Sequence, residues 1–495
     1  MKAKLLLLTV CLALLLCACQ GPADTETPAA NLPPETGEVE PAVPDTPPED
    51  PAPALPSAPP VCQVPFTETE SFPLPFDEEL LVDEEKGLLL SAGQALYDYD
   101  TMWTLLEENF PYFAAIEKDL GVSSQEVKAR HRAELVSETE DGYITQRAFL
   151  QRIDACLKEF YSVGHLFVIS PNRRQILFDV FQNIDNPVGQ KILELASSKK
   201  AETWYTHWEN MPQELPKEPL KEASSESSSA NRPTVIVNPF ATPKAAITRN
   251  IDLDTGVRAG YVEDIPYLSI PTFGGWTEDT YEGIAAFLNE NSGQDHLIID
   301  ICGNGGGDTL AWTQGIVAPL ITEELTYNML LGAKTGALNL AMVPFLNNPE
   351  EAFHVYRDDS WKKDFPLIVD GSFQEVDLLL RSTSSISPSN STHATFKKIW
   401  VLIDQGNYSA ADNFAYFCKE TGFATLVGTT TRGNGIGFQP AAMALPYSGL
   451  MIYYEQYLSY NPDGTCNGTR GTLPDIAASP GQTPLQACWQ AIQSE

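Results

Sequence analysis

Residues 399–422, IWVLIDQGNYSAADNFAYFCKETG, combine two patterns that together indicate the class of fold. The stretch opens with an apolar run, residues 399–404, which is typical of a strand buried on both faces of a parallel sheet. Helical periodicity follows over residues 410–420 and ends near Gly422, a residue that favours helix ends. Ser409 stands at the turn between the predicted strand and the predicted helix.

Ser409 has two possible roles at this turn. The sequence Ser-Ala-Ala-Asp fits the pattern in which a serine caps a helix and an acidic residue follows three positions later. The local sequence therefore favours a helix cap. A turn from strand to helix is also where hydrolases present a nucleophilic hydroxyl at the edge of a sheet. The two roles exclude each other only if the hydroxyl is committed to the backbone.

The alternation of strands and helices continues on both sides of this stretch. Continuous apolar strands that alternate with helices predict a mostly parallel sheet covered on both faces. Ligand chemistry in such sheets collects at the carboxyl ends of strands. The further predicted elements are a hairpin over 260–273, a helix over 279–289, a strand over 296–301, a helix over 308–320 and a strand over 424–428.

A glycine-rich loop, CGNGGGD at 302–308, follows one of these strands. Such a loop is used to bind phosphate, but this one has neither the Lys-Ser/Thr of a Walker loop nor the G-x-G-x-x-G register. The alternative use is to present bare backbone N–H groups to an oxyanion.

The region before the core is predicted to be helical. Apolar residues recur at three- and four-residue spacing between positions 98 and 160. The pattern then changes to strand character, and His165 lies at the change. We predict a small helical domain that delivers His165 at its end, either as a functional histidine or as a structural one.

Charge and cysteine content limit the partners. The chain has 31 Lys and Arg against 66 Asp and Glu, a formal net charge of −35. Nucleic acid and anionic membrane surfaces both require basic patches, so neither is an expected partner. Six cysteines follow the N-terminal segment, and Cys466 with Cys488 is the first pair to examine for a disulfide, since sequence alone cannot give the pairing.

The N-terminus predicts export. Lys2 and Lys4 precede an apolar run that is short for a membrane span, which is the pattern of a secretory signal. The sequence Leu-Cys-Ala-Cys at 16–19 resembles the bacterial lipoprotein box. That resemblance implies cleavage before Cys19, a diacylglycerol on its sulfur, and a lipid-anchored, extracytoplasmic protein at the cell membrane. The Pro- and acid-rich segment that follows is predicted to be a disordered tether.

Three blocks of the sequence resemble one family, the carboxy-terminal processing (tail-specific) serine peptidases. Residues 296–308 are similar to its strand followed by Asp-Leu-Arg-x-Asn-x-Gly-Gly, with Cys302 in place of the arginine. Residues 401–435 look like its nucleophile block, and residues 471–476 resemble Gly-Val-x-Pro-Asp-Ile. The resemblance covers residues 260–480, and residues 95–170 more loosely resemble the helical domain of its tricorn-like Ser/His branch.

The resemblance implies an α/β (α+β) fold with a mostly parallel-sheet core of the crotonase-like/ClpP type, preceded by a small helical domain. It implies Ser409 as nucleophile, and the backbone N–H groups of Gly306 and Ala410 as oxyanion donors. No metal and no cofactor is implied. The domain boundaries that follow are 1–19 signal peptide, 20–60 tether, 61–175 helical domain, 176–255 insertion with a serine-rich loop, and 256–495 peptidase core.

The general base decides the branch of the family. One branch places a lysine about 25 residues after the serine, where this chain has Asn434, whose amide is not basic. Arg432 nearby stays protonated and cannot accept the proton either. The other branch uses a histidine from the preceding domain, a position that His165 matches. The resemblance therefore implies His165 as the base, with an ordinary pKa suited to that work.

The third catalytic residue departs from the family pattern. The glutamate that the tricorn-like branch carries before its Pro-Asp motif is absent here, where Asn467 stands. We assign Asn467 to orient the imidazole, as asparagine does in papain-like enzymes, with Glu455 as the other candidate. The expected function is a serine endopeptidase that cleaves envelope or extracellular proteins or peptides through an acyl-enzyme. The alternative is a catalytically inactive lipoprotein that binds peptides or envelope material.

Overall fold

A computed structural model describes residue 76 and residues 79–182, 185–211, 244–366, 376–391 and 393–495. The expected signal peptide with Cys19, the tether, Cys62 and the serine-rich loop at 221–233 lie outside the described residues. Leu74–Glu495 form one compact unit. The domain boundaries inside this unit, at residues 175 and 255, stay predictions.

Helices dominate the first third of the described chain, as the apolar spacing predicts. The first helix begins at Ser91, whose hydroxyl accepts from the N–H of Gln94 while the Gln94 side chain accepts from the N–H of Ser91. The helices in chain order are α1 Ala92–Asn109, α2 Phe113–Leu120, α3 Ser124–Glu138, α4 Gln146–Lys158, α5 Pro171–Phe181, α6 Pro187–Ala196, α7 Lys199–Glu209, α8 Glu278–Glu290, α9 Thr309–Trp312, α10 Ala318–Leu320, α11 Ala337–Met342, α12 Trp361–Asp364, α13 Ala410–Thr421, α14 Asn467–Arg470 and α15 Pro484–Gln493. A π-helical turn, Thr313–Val317, joins α9 to α10.

The strands form four sheets. Their bounds are β1 Leu81–Asp83, β2 Gly87–Ser91, β3 Tyr143–Thr145, β4 Phe167–Val168, β5 Ala245–Asp252, β6 Val257–Val262, β7 Ile265–Ser269, β8 His296–Asp300, β9 Leu325–Ala333, β10 His354–Tyr356, β11 Leu378–Ile386, β12 Lys398–Ile403, β13 Thr425–Gly428, β14 Ala441–Ala444, β15 Met451–Tyr454, β16 Tyr457–Tyr460 and β17 Ile476–Ala477. The strand orders are β1-β2-β3, β10-β11-β9-β16, β17-β13-β12-β8-β7-β6-β5 and β14-β15-β4.

The seven-stranded sheet is the core. Strands β17, β13, β12, β8 and β7 pair in parallel, while β7, β6 and β5 pair antiparallel at one side. Val401 of β12 faces Ile299 of β8 on one side and Leu426 of β13 on the other. The predicted α/β class, with a mostly parallel core preceded by a helical region, is confirmed.

Helices cover both faces of this sheet, which explains why its central strands are apolar throughout. On one face, Ile298 and Trp400 pack with Ala487 and Cys488 of α15. Away from this cluster, Trp312 of α9 stacks on Phe414 of α13, with ring centroids 5.5 Å apart. Burying each such large side chain contributes about 1.5–3 kcal/mol.

Several features were not predicted. The four-stranded sheet, the β1-β2-β3 sheet and strand β14 had no expected counterpart. Cys466 and Cys488, the first pair to examine for a disulfide, are not joined, because all five described cysteines are free thiols. Within the described parts of the chain, no helix is both long and apolar enough to cross a membrane.

Candidate active site

Ser409 lies at the start of α13 in a strained turn. Its φ is +57° and its ψ is −127°, a region that residues other than glycine seldom occupy. Its side chain makes no capping hydrogen bond to the helix. The cap that the local pattern favoured is therefore wrong, because this backbone turns the hydroxyl away from the first turn of the helix. The backbone N–H of Ser409 donates to the carbonyl of Gly433 over 3.1 Å.

The hydroxyl of Ser409 meets the imidazole of His165. The distance between Ser409 Oγ and His165 Nε2 is 3.0 Å, within hydrogen-bond reach. The direction of this bond follows the tautomer of the ring: for Nε2 to accept from the hydroxyl, as a general base does, the proton of the neutral imidazole has to sit on Nδ1. The structure thus brings together the two residues that the sequence proposed as nucleophile and base.

The turn that delivers His165 contains several residues in the left-handed region of φ and ψ. Tyr161, Ser162, Gly164 and His165 all have φ between +51° and +61°. A turn with so many left-handed residues persists only when its surroundings hold it in place. The hydroxyl of Tyr408, the residue before the serine, donates to the Ser162 carbonyl over 2.8 Å.

Gly164 is the most constrained position of this turn. A Cβ on Gly164 would lie 2.6 Å from the ring of Phe110 and 2.8 Å from that of Tyr112. The Gly164 N–H donates to the side-chain oxygen of Asn434, and its carbonyl accepts from the N–H of Glu455 over 2.6 Å. The peptide before the imidazole is therefore held from both sides.

Asn434 is a residue whose role the sequence did not reveal. It occupies the place where the other branch of the family has lysine, and here it supports the histidine turn instead. Its φ of +62° lies in the left-handed region that asparagine tolerates better than most residues. The only signal in the sequence was its position between Gly433 and Gly435.

Glu455 lies behind His165. Its Oε2 is 3.6 Å from His165 Nδ1, longer than a hydrogen bond. The His165 Nδ1 and the Glu455 Oε1 atoms are buried and have no hydrogen-bond partner. The carboxyl follows strand β15, whose pairing with β4 aligns it with the histidine turn. Glu455, the second candidate for the third position, is thus the acid that faces the imidazole.

Burial shifts the pKa values of His165 and Glu455 toward the neutral form of each group. The side chains of His165 and Glu455 are 6 % and 4 % exposed. Burial, reinforced by the charge of Arg173, lowers the pKa of His165 to about 3. Burial also raises the pKa of Glu455 well above its usual range, against the opposing effect of the Tyr457 and Gln456 backbone N–H groups. Burial thus favours the neutral form of each group.

Asn467 does not contact the imidazole. Its side-chain oxygen accepts from the N–H of Gly435 over 3.2 Å, and its side-chain nitrogen donates to Asn461 over 3.1 Å. Asn467 therefore does not orient His165, contrary to the expectation from sequence. Its side-chain amide instead forms hydrogen bonds to Gly435 and Asn461 in neighbouring loops. Sequence proximity to the Pro-Asp motif did not indicate which loop the side chain would face.

The two expected oxyanion donors differ. The N–H of Ala410 follows the serine at the first position of α13, where an N–H has no partner within the helix. Gly306 lies directly against the serine, since a Cβ on it would be 2.9 Å from Ser409 Cβ. Its N–H, however, donates to the side-chain oxygen of Asn304 over 2.8 Å. In this state only Ala410 offers a donor that nothing else uses.

No metal centre is formed by the described residues, because they contain no group of three or more His, Cys, Asp and Glu placed to hold an ion. Cys302, which stands where the family has arginine, is a free and partly buried thiol. Burial raises the pKa of its sulfhydryl, with the nearby Asp300 adding to the effect.

A strained serine at a strand-to-helix turn, with its hydroxyl on a buried imidazole, is the arrangement of a serine hydrolase. The family model of peptidase family S41 matches residues 264–478. This match indicates that the core of the chain is similar to the serine peptidases of family S41.

Solved structures similar to this chain include a putative peptidase, mature CPAF and a processing protease. A putative peptidase from Parabacteroides merdae is 16 % identical, with 81 % of this chain and 97 % of that chain covered and a TM-score of 0.46. Mature CPAF is 15 % identical, with 81 % and 96 % covered and a TM-score of 0.46. The photosystem II D1 C-terminal processing protease is 19 % identical, with 44 % and 42 % covered and a TM-score of 0.28. Among curated protein sequences, none matches this chain.

Proposed function

We propose that the protein is a Ser/His endopeptidase in which Ser409 is the nucleophile and His165 the general base. The observation that carries the proposal is the 3.0 Å contact between Ser409 Oγ and His165 Nε2, made by a hydroxyl that does not cap its helix. Geometry of this kind, rather than order along the chain, defines such a pair.

The reaction follows from this contact. Ser409 Oγ attacks the carbonyl carbon of a peptide bond while its proton passes to His165 Nε2. The tetrahedral intermediate collapses to an acyl-enzyme as the carbon–nitrogen bond breaks and the same proton goes to the departing amine. Water then attacks the ester with His165 again as base, which releases the acid and restores the serine hydroxyl.

Glu455 is proposed as the residue that positions the imidazole. When Nε2 takes the proton, the ring becomes a cation in a buried site, which is costly unless an anion faces it. Release of the carboxyl proton to solvent, together with contraction of the 3.6 Å gap, would give Nδ1–H a charged acceptor. Glu455 therefore replaces Asn467 in the proposed catalytic set.

Oxyanion stabilisation is assigned to the Ala410 N–H together with the glycine-rich loop. The positive end of α13 adds to this effect, since helix N-termini favour negative charge. For Gly306 to contribute its N–H, its bond to Asn304 has to be exchanged for one to the substrate. This committed N–H is the observation that favours the alternative, a catalytically inactive protein that binds peptides in the same cleft.

We also propose that the protein is lipid-anchored at Cys19 and faces the outside of the cell membrane, where it would act on envelope or extracellular proteins. This part rests on the N-terminal sequence. It is tested by metabolic labelling of the full chain with a fatty acid, compared with Cys19→Ala.

Hydrolysis of an unstructured protein distinguishes an active peptidase from a catalytically inactive protein that binds peptides. The wild type is expected to cleave it, and Ser409→Ala and His165→Ala each to lose at least about 10⁴-fold in kcat. Folding of all three proteins is compared by circular dichroism. A folded wild type that cleaves nothing, with the same binding of substrate in all three, would establish the inactive alternative.

A further inference from the structure

Tyr408 contacts three parts of the proposed active site. It precedes Ser409 in the chain, and its backbone N–H donates to the Asn304 carbonyl of the glycine-rich loop over 3.2 Å. Its ring lies beside the imidazole of His165, with the two ring centroids 4.9 Å apart. Its hydroxyl donates to the Ser162 carbonyl of the histidine turn over 2.8 Å. One residue therefore joins the nucleophile, the base and the loop proposed to stabilise the oxyanion.

The imidazole of His165 lacks the hydrogen bond that usually orients such a ring. In a Ser-His-Asp triad, an acceptor at Nδ1 holds the ring in the correct tautomer and direction. Here Nδ1 is buried without a hydrogen-bond partner, and a carboxylate oxygen of Glu455 lies 3.6 Å away. A ring that is hydrogen-bonded at only one nitrogen can turn about the bond that joins it to the backbone. In this state its direction has to come from the groups that pack against it.

The ring of Tyr408 is such a group. Its centroid lies nearer to the imidazole than that of Tyr453, which is 6.3 Å away. The guanidinium carbon of Arg432 lies 5.1 Å from the Tyr408 ring, a contact of the kind in which a guanidinium stacks on an aromatic face. The bond from the hydroxyl to Ser162 fixes the far end of the ring. The imidazole therefore packs against a ring that is itself held in place.

The hydroxyl of Tyr408 acts on the backbone that carries the imidazole. Ser162 and His165 have φ values of +61° and +51°, conformations that persist only where the surroundings hold them. Burial raises the pKa of Tyr408 above its usual range, against the opposing effect of the Arg432 charge. The hydroxyl therefore keeps its proton and remains a donor to the Ser162 carbonyl. Loss of this bond would free a strained peptide three residues before the base.

We propose that Tyr408 is a positioning residue: in the resting enzyme its ring and hydroxyl hold the His165 imidazole in line with Ser409, in place of a hydrogen bond at Nδ1. This inference rests on the proposed function and adds a residue to the proposed set. Glu455 then acts later in the reaction, when the imidazole becomes a cation. A tyrosine that only filled space beside the turn would contribute to stability and leave the reaction unchanged.

The kinetics of two substitutions distinguish positioning from packing. Tyr408→Phe removes the hydroxyl and keeps the ring, whereas Tyr408→Leu removes both. Tyr416→Phe is the matched control, because Tyr416 lies on α13 and its hydroxyl also donates to a backbone carbonyl, that of Asn328, over 2.6 Å. We expect kcat to fall by about 10-fold in Tyr408→Phe and about 100-fold in Tyr408→Leu, with KM within about twofold, since small misplacements have effects of that size. The control should keep the wild-type kcat.

Nitrogen NMR of the imidazole tests the positioning without any reaction. Proteins labelled in the ring nitrogens of histidine are compared at neutral pH, and the His165 signals are those missing from His165→Ala. An imidazole held against Ser409 keeps its proton on Nδ1, which gives its two nitrogens widely different shifts. A ring that turns and meets water exchanges between tautomers, and the two shifts approach each other. We expect widely separated shifts in the wild type and Tyr416→Phe, and closer ones in both Tyr408 variants.

Shifts that are the same in the wild type and in both Tyr408 variants would overturn the inference, and so would averaged shifts in the wild type. An effect confined to Tyr408→Leu would assign the role to the ring and contradict the role of the hydroxyl. The two measurements also separate this inference from the proposed function. If the wild type cleaves no peptide but gives the expected spectra, Tyr408 positions the imidazole and the peptidase proposal fails. If it cleaves peptides and kcat is unchanged in both Tyr408 variants, the peptidase proposal stands and the inference fails.

Discussion

His165 and Ser409 are 244 positions apart in the chain, yet His165 Nε2 lies 3.0 Å from Ser409 Oγ. Two separate strained turns produce this contact, one at the end of the helical region and one between β12 and α13. A third segment connects them, because Gly433 accepts from the N–H of Ser409 and Asn434 accepts from the N–H of Gly164. The pair is thus held by backbone contacts rather than by its own hydrogen bond alone.

Asn434 is expected to position His165. Asn434→Gly keeps the left-handed backbone but removes the acceptor for the Gly164 N–H, so the imidazole loses one of its two supports. We expect kcat to fall by about 10- to 100-fold with little change in KM, since small misplacements of reacting groups have effects of that size. Steady-state kinetics on a peptide substrate measures kcat and KM separately.

Asn434→Asp is the matched control, because its carboxylate retains the acceptor and tolerates the same backbone. Activity close to that of the wild type is expected for it. If the glycine and aspartate variants lose activity equally, the bond to Gly164 is not what Asn434 contributes.

Glu455→Gln should separate stability from activity. Because burial raises the pKa of Glu455, the folded protein keeps this proton where the unfolded chain, with an ordinary value of 4.5, has released it. The wild type therefore loses stability as pH rises above 4.5 toward the folded pKa. Glutamine is neutral at every pH, so the variant does not lose this stability. The free energy of unfolding of the variant minus that of the wild type should therefore be larger at pH 8 than at pH 4.5, by about 1 kcal/mol or more.

The same variant should lose at least about 100-fold in kcat, because glutamine cannot become the anion that the imidazolium needs. Urea denaturation at the two pH values and peptide hydrolysis at pH 8 provide the two measurements. A fully active Glu455→Gln, or a stability difference that does not grow with pH, would show that the carboxyl has no part in the site.

The acidic limb of the profile of kcat/KM against pH should lie at lower pH than it would for a histidine with an ordinary pKa. Burial lowers the pKa of His165 to about 3 from an ordinary 6.5, so the free enzyme keeps a neutral base well into the acid range. The value of kcat/KM at pH 5 is expected within about twofold of that at pH 7, whereas a base with an ordinary pKa would lose about 30-fold. A limb with an apparent pKa near 6.5 would contradict the burial of the imidazole.

Gly306 is expected to tolerate no side chain. A Cβ there would lie 2.7 Å from the carbonyl oxygen of Tyr408 and 3.0 Å from the N–H nitrogen of Ala410, and its φ is +102°. Gly306→Ala should therefore displace the serine turn and reduce kcat by about 100-fold or more. In Gly305→Ala the new Cβ meets nothing within 4 Å, so that variant should keep its activity. Equal effects of the two substitutions would argue against the close approach at Gly306.

Much of the core was accessible from sequence because its strands are apolar on both faces and its helices are periodic. Residues 399–404 and 410–420 were predicted within a residue or two of β12 and α13. The four-stranded sheet was not, because its strands carry mixed polar and apolar residues, as in the sequence of β11. Long-range pairing between β9 and β11, rather than local pattern, forms that sheet.

The residues of the site also fall into two groups, those that the sequence indicates and those that only tertiary packing brings together. His165 and Ser409 were found because each lies at a boundary between elements that the sequence marks. The sequence does not decide between Asn467 and Glu455, because the direction of a side chain after β15 or in α14 depends on tertiary packing. The support that Asn434 gives to Gly164 was invisible for the same reason, since it joins residues 270 positions apart. The strain at Ser409, which decides between cap and nucleophile, is a property of φ and ψ that its own sequence does not reveal.

Reaction with a fluorophosphonate distinguishes a Ser409 that is activated by His165 from an inert one, because the reagent bonds to a serine whose proton is removed as it attacks. We predict one adduct per wild-type chain, mapped by mass spectrometry to Ser409, with labelling abolished in Ser409→Ala and slowed by at least about 10³-fold in His165→Ala. A folded wild type that stays unlabelled, or that is labelled at the same rate without His165, would contradict it.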